Sequence, residues 1–206
     1  MSALPRHLPK AFFARDALDV ARDLIGTLLV RDDVVLRLTE VEAYREGDSA
    51  NHCRAGKTAR NAPMWGPPGH AYLYLCYGLH HLLNLVTDRD GVGAAVLVRS
   101  AEIVAGHDTV LARRRAVPGP AALRPALLTG PGKVAQALGL DLAWNDHPLY
   151  RRGGLELRAR RRGDKPALAT GPRVGIDYAD PADRVAPWRI ADRDSRWVSV
   201  RKALVG

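Results

Sequence analysis

Two glutamates, Glu40 and Glu42, sit inside the β-prone run Leu36-Arg37-Leu38-Thr39-Glu40-Val41-Glu42-Ala43-Tyr44. Side chains along a strand alternate between faces, so Leu36, Leu38, Glu40, Glu42 and Tyr44 are expected to share one, and the leucines mark it as the core side. Burying an ionised carboxylate without partners is costly. Such a strand either pairs its acids structurally or holds a functional acid or base, and groups of the second kind concentrate at active sites. Taken alone, the glutamates read as a solvated strand end or as partners for some of the many arginines, and His52 as a surface histidine. Their company favours a site: Asn51-His52, then Gly69-His70-Ala71-Tyr72-Leu73-Tyr74-Leu75-Cys76-Tyr77-Gly78, then Asn84. A carboxylate, a histidine, several tyrosines and an amide so close in sequence are the ingredients of a pocket that clamps a flat ring beside a base.

The elements that must position these groups lie on either side. Residues 16–25 carry Leu18, Ala21, Leu24 and Ile25 at helical spacing, with Asp16 as N-cap and Gly26 as stop. Residues 27–31 and 34–44 read as two strands of a hairpin joined at Asp32-Asp33. Residues 45–68 are polar, rich in Gly and Pro and without periodicity, a loop long enough to be functional. Residues 71–77 and 79–87 read as a second hairpin whose tip is Tyr77-Gly78. Tyr72 and Tyr74 fall on one face of it, where cross-strand packing accounts for Tyr72, but a large ring at a tight turn is exposed, and packing does not account for Tyr77. Residues 92–99 read as a buried strand ending in Arg99, which invites a carboxylate partner. Asp108 is expected to cap a helix running through Arg113-Arg114-Arg115, followed by a Pro/Gly-containing linker to Leu127. Thr129-Gly130-Pro131-Gly132-Lys133 opens a short helix that stops at Gly139, with Pro131 at its first position and Lys133 as a seat for phosphate. The glycine spacing is not that of a nucleotide-hydrolysing loop. Residues 171–176 and 187–200 read as returning strands.

With 206 residues, 47% of them hydrophobic, the chain suffices for one well-buried core, and a single domain over residues 1–206 is expected. The net charge of +9 and pI near 10.1 favour a polyanionic partner, nucleic acid first. Twelve Lys and Arg face four acids between Leu111 and Lys165, the excess a backbone-tracking surface needs. Cys53 and Cys76 form neither a disulfide framework nor a zinc-spaced cluster. With no signal-like amino terminus and no apolar run of membrane-spanning length, a soluble cytoplasmic protein is expected, with no membrane and no metal.

At Glu42-Ala43-Tyr44, His52, the 69–78 hairpin, Asn84, Val96-Leu97-Val98-Arg99, Thr129-Gly130-Pro131-Gly132-Lys133 and Arg173-Val174-Gly175, in that order and over nearly the whole chain, the sequence resembles the alkyladenine (3-methyladenine) DNA glycosylase family, bacterial type. It departs from the family's usual pattern at Ala59, where proline is common, and at Cys76 and Leu79 beside the hairpin tip. The resemblance implies an α+β (mixed α/β) single domain on a curved, mainly antiparallel sheet with a protruding β-hairpin. It implies monofunctional excision of damaged purines from double-stranded DNA, without a cofactor, by a monomer associated with the nucleoid. Glu42 would be the general base for the attacking water, which Arg99 and the backbone of Val174 help to hold. Tyr44, His52 and Tyr74 would stack on or bond the extruded base, and Asn84 would screen against the 2-amino group of guanine. Tyr77 would fill the gap in the duplex, and Arg60, Lys133 and Arg173 would meet the DNA backbone.

Physical chemistry agrees with these roles. A base inside a duplex must be flipped before any enzyme reaches its sugar bond, a wedged side chain offsets that work, and a carboxylate near the sugar both steadies an oxocarbenium-like state and activates water. Two other readings compete. A non-catalytic nucleic-acid-binding module explains the charge and the aromatics but leaves Glu42 idle; a small-molecule nucleosidase explains Glu42 but not the charge.

Overall fold

The computed structural model describes residues 4–116 and 124–206. The β-prone runs form β1 (Leu28–Arg31), β2 (Val34–Tyr44), β3 (Ala71–Cys76), β4 (His80–Val86), β5 (Ala95–Ala105), β6 (Glu156–Arg158), β7 (Leu168–Gly171) and β8 (Arg189–Asp192). All join one antiparallel, curled sheet in the order β3-β4-β5-β2-β1-β6, with β8 pairing β2 and β7 pairing β8. β5 takes one edge of β2; the other is shared by β1, opposite residues 34–37, and β8, opposite residues 40–42. The glutamates therefore lie on a central strand paired on both sides.

One face of the sheet is the core. Helix α2 (Ala17–Leu24) is capped by Asp16, whose side chain accepts from the Leu18 N–H, and buries Val20, Ala21 and Leu24. Helix α4 (Pro131–Ala137), with Pro131 in its first turn, packs Val134 and Ala135 into the same cluster as Leu73, Leu83, Leu85, Val96 and Val98. Two shorter helices, α1 (Lys10–Phe13) and α3 (His107–Arg113), add Phe13 and Val110, and α5 (Pro181–Val185) buries nothing. Asp108 lies in the first turn of α3, whose N-cap is Gly106 in a left-handed conformation, so the aspartate sits inside the helix rather than capping it.

The expected face of the glutamates is overturned. Leu36 and Leu38 do face this core, but so do Val41 and Ala43. Register explains the change of phase: Leu38 opposes Ala101, Glu40 opposes Ser100 and Val41 opposes Val98, so Thr39 on β2 and then Arg99 on β5 are each an extra residue. A bulge shifts every later side chain to the other face. Glu40 and Glu42 thus leave the leucines' face for the opposite one, and Arg99 is turned toward them. Arg99 is also not a strand end, because β5 continues to Ala105.

The second hairpin pairs Ala71 with Leu85 through Cys76 with His80. Tyr77 (φ 50°) and Gly78 (φ 70°) are both left-handed, and the Leu79 N–H donates to the Cys76 carbonyl at 3.0 Å. This is the turn whose twist matches a hairpin. The returning strands differ from expectation: of residues 171–176 only Gly171 is strand, the end of a β7 that lies before Pro172, and of residues 187–200 only Arg189–Asp192 are strand. Most of the expected linker, residues 117–123, lies outside the described residues.

Candidate active site

A row of partners crosses the sheet opposite the core: Tyr72 on β3 opposes Asn84 on β4, Asn84 opposes Leu97 on β5, Leu97 opposes Glu42 on β2, and Glu42 opposes Arg189 on β8. With strands about 4.8 Å apart, the row sets a carboxylate, an amide and a tyrosine along one face. Tyr74 on β3 and Tyr44 on β2 extend it, packed around a small cluster of Cys53, Met64, Val86 and Ala95.

Glu42 is fully buried. Its Oε1 accepts the Val174 N–H at 2.7 Å and lies 3.3 Å from Arg99 Nη1; its Oε2 accepts the Tyr44 hydroxyl at 3.0 Å. Burial nevertheless raises its proton affinity above that of a free carboxylate, against the opposing pull of Arg99 and these donors. The result is an anion held in place yet more basic than a solvated glutamate. Burial likewise raises the pKa of Tyr44 well above its ordinary value, so its hydroxyl stays a donor.

Loop residues reach the site because their neighbours are anchored. Asn51 Nδ2 donates to the carbonyls of Arg45 and Gly93, and Cys53 packs on Gly93, where an added Cβ would lie 2.6 Å from Sγ. His52, between these two buried residues, sets Nδ1 3.1 Å from the Tyr72 hydroxyl and its ring edge-on to Tyr74, centroids 4.3 Å apart. Burial, then Arg60 and Arg54, push the His52 pKa down, which favours the neutral ring; burial pushes Tyr72 up to about 12. Asn84 is buried and donates to the Tyr72 carbonyl at 3.2 Å.

Glu42, Arg99, Val174, Tyr44, His52, Tyr74 and Asn84 are therefore assembled on one face. Tyr77 is apart from them, 92% exposed at the hairpin tip. Arg60 is exposed, with Nη2 3.3 Å from the Leu75 carbonyl, and Lys133 lends Nζ to the Ala126 carbonyl at 2.8 Å. Arg173 does not meet the expectation of a contact with the DNA backbone. Its side chain is wholly enclosed, doubly paired with Asp48, bonded to the Ala43 carbonyl at 3.0 Å, and stacked 4.7 Å from the Tyr44 ring centroid. It braces Tyr44 from behind. Sequence reasoning also misses Tyr72 as the partner of His52. The one signal for it is the strand phase it shares with Tyr74, and cross-strand packing explains that equally well.

Beside His52 opens a cleft of about 410 Å³ lined by Arg54, Thr58, Arg60, Tyr72 and Tyr178 among others, with no carboxylate among the described residues of its wall. Size alone does not select it: a cleft of about 460 Å³ lies among Arg15, Asp16, Arg45 and Asp88, but there Arg45 pairs with Asp16, and Asp16 and Asp88 accept N–H groups of α2's first turn. Among the described residues no group of three or more His, Cys, Asp or Glu side chains is placed to hold a metal, and no helix is long and apolar enough to cross a membrane. Tyr44 bonded to Glu42, and His52 packed on Tyr74 of the same face, set aromatic rings near a buried, basic carboxylate, a combination that suits the hydrolysis of a bond to a planar ring.

The sequence model of methylpurine-DNA glycosylase matches residues 11–196. A protein of Nitrosococcus oceani assigned as a 3-methyladenine DNA glycosylase is 61% identical over 96% of this chain and 95% of its own length. The DNA-3-methyladenine glycosylase of Arabidopsis thaliana is 55% identical over 95% of this chain and 75% of its own. A protein of Methanocella arvoryzae with the same assignment as the first is 42% identical over 94% and 96%. A match of this extent, over a range that includes the β2 carboxylate, the tyrosine hairpin and Val174, makes the chain a member of the methylpurine-DNA glycosylase family, DNA repair hydrolases of the N-glycosylic bond.

Proposed function

We propose that this DNA glycosylase acts on duplex DNA carrying alkylated or deaminated purines, of the 3-methyladenine, hypoxanthine and ethenoadenine class, and leaves an abasic site. The observation that carries the reading is the enclosed, basic Glu42, bonded to Tyr44 and on the same sheet face as Tyr74, on which His52 packs. An extruded purine stacks against these rings. Neutral His52, accepting from the Tyr72 hydroxyl at Nδ1, keeps an N–H at Nε2 for the base. Oε1 of Glu42 is taken by Val174 and Arg99, whereas Oε2 has Tyr44 as its donor among the described residues and capacity to spare. As the bond to the purine nitrogen breaks, its electron pair leaves with the base, the sugar gathers positive charge that the carboxylate steadies, and water adds to the anomeric carbon while Oε2 takes its proton. A positively charged alkylpurine leaves readily, so one carboxylate suffices, and the step calls on no cofactor.

Asn84, in the same row of partners as Glu42, screens against a guanine 2-amino group. Tyr77 fills the gap left in the stack, and Arg60 and Lys133 meet phosphates. The protein works as a monomer on the chromosomal DNA of the cytoplasm. A duplex with one hypoxanthine or ethenoadenine, incubated with the protein and then treated with alkali, should break at the lesion. Binding without any break, for these lesions and for 3-methyladenine, would overturn the reading in favour of a non-catalytic module.

A further inference from the structure

We propose that Glu40 is a positioning residue for Glu42, setting both groups that hold Glu42 Oε1; the proposal rests on the reading of Glu42 as the base. Glu40 is fully buried. Its Oε1 receives Arg99 Nε at 3.3 Å, Arg189 Nη1 at 3.1 Å and Ser199 Oγ at 2.8 Å, and its Oε2 receives Ser100 Oγ and the Ser199 N–H, both at 2.7 Å. A structural acid needs one arginine to balance it, and Glu40 holds two, each of which leads on to Glu42. Arg99 turns its far nitrogen, Nη1, to Glu42 Oε1. Arg189 donates Nε to the Pro172 carbonyl at 2.8 Å, and Pro172 lies two residues before Val174, whose N–H is the other donor to that oxygen. One path runs through a side chain and the other through the closing segment, and both begin at Glu40.

Charge follows the same wiring. Glu40, Glu42, Arg99 and Arg189 balance as two acids and two bases, so neutralising Glu40 leaves two cations to one anion. The groups facing Glu42 are Arg99 from β5, Glu40 and Tyr44 from β2, Tyr74 from β3, Arg189 from β8, and Arg173, Val174 and Tyr178 from the segment that closes over it. Of these, Glu40 is the other carboxylate, and its charge adds to burial in raising the Glu42 proton affinity, though by less than Arg99, Val174 or Tyr44 lower it. Without it Arg99 is free to serve Glu42 alone. Both changes lower the proton affinity of Glu42 and weaken it as a base.

The test is the single-turnover excision rate of the full chain against pH for wild type, Glu40→Gln and Glu40→Asp, on a duplex with one hypoxanthine or ethenoadenine. Duplex affinity and a carbon-13 titration of the Glu42 carboxyl in the free protein accompany it. Glu40→Gln should lower the plateau rate by roughly 10–100-fold, the size seen when supports of metal ligands are removed, with affinity retained and both the acid limb and the carboxyl titration moved to lower pH. Glu40→Asp keeps the charge but draws the carboxylate back; it should lose rate with a smaller displacement of the limb. A Glu40→Gln protein with wild-type plateau, limb and titration overturns the proposal, whatever its melting temperature. Should that variant not fold, Glu40→Asp decides: a wild-type rate overturns the proposal, and a reduced rate with retained affinity upholds it. Wild-type protein that excises nothing would sink the functional reading instead, and the Glu42 titration would still decide whether Glu40 sets its proton affinity.

Discussion

An enclosed anion is tolerated when its partners replace the water it has lost, and Glu42 is given only part of that replacement. Among the described residues Oε1 has two donors and Oε2 one, while burial still outweighs them and raises its proton affinity. The folded protein therefore binds that proton more tightly than the unfolded chain does. The stability this lends is complete below the unfolded pKa and is lost as pH rises through the folded one, so at neutral pH the fold carries a charge it would be steadier without. Glu42→Gln keeps the shape and removes the charge. It should melt at or above the wild-type temperature near pH 7, with the difference fading as pH falls into the ordinary carboxylate range. The same variant should lose roughly 10²–10⁴-fold in single-turnover excision, the worth of a positioned general base, while still binding lesion duplex. In the wild type, the acid limb of the rate should lie above the range of a free carboxylate. A Gln variant that excises at the wild-type rate would remove Glu42 from the chemistry.

At the scale of elements, two local irregularities make the site: the paired bulges of β2 and β5, and the tip of the β3–β4 hairpin. The hairpin tip is legible in the sequence. A glycine after Tyr77, between two β-prone runs, announces a two-residue turn, and both residues do adopt left-handed backbone. For tyrosine that conformation costs about 1–2 kcal/mol, a strain of the kind that collects at functional positions. Asparagine followed by glycine suits this turn best. Tyr77→Asn should therefore raise the melting temperature slightly while weakening excision from a well-stacked pair by about the worth of one base–aromatic stack, ~1–3 kcal/mol, and weakening it less from single-stranded DNA. A lower melting temperature would mean that the ring packs on its own protein, against its 92% exposure. The bulges are not legible. Strict alternation is the only rule a strand sequence offers, and nothing in Leu38-Thr39-Glu40 marks Thr39 as the extra residue; the partner strand decides it. Alternation therefore singles out both glutamates for the wrong reason, as acids on a core face, when the bulge puts them on the opposite one with Arg99 between them. Arg173 misleads in the same way, because only tertiary structure reveals that Asp48 and Tyr44 enclose it.

Over the whole molecule, charge is legible in amount but not in allocation. The chain carries +9, and twelve of its cations fall between Leu111 and Lys165. Four arginines among these bond within the protein: Arg113 to Asp32 and the Ala137 carbonyl, Arg114 to the Leu127 carbonyl, Arg158 to Glu156, and Arg160 to the carbonyls of Arg22, Asp23 and Ile25 at the end of α2. They terminate helices and pin strands, so replacing one should lower stability and leave the salt dependence of DNA binding nearly unchanged. Arg54 and Arg60 differ. Both are exposed in the cleft beside His52, no acid among the described residues lines that cleft, and Arg60 reaches the stem of the hairpin that bears Tyr77. A nucleotide drawn toward His52 must carry its phosphates past this opening. Each phosphate neutralised on duplex DNA releases counterions worth about 0.9 in the slope of log affinity against log salt. Replacing Arg54 and Arg60 together with Ala should therefore reduce the magnitude of that slope by about 2, whereas Arg158→Ala should lower the melting temperature and leave the slope alone. Measure duplex affinity from low to moderate salt for wild type and both variants, with melts at each salt. An unchanged slope for the double variant would place phosphate binding elsewhere on the surface, and a slope that falls for Arg158→Ala would show that an arginine bonded within the protein can still release its partner to meet a phosphate.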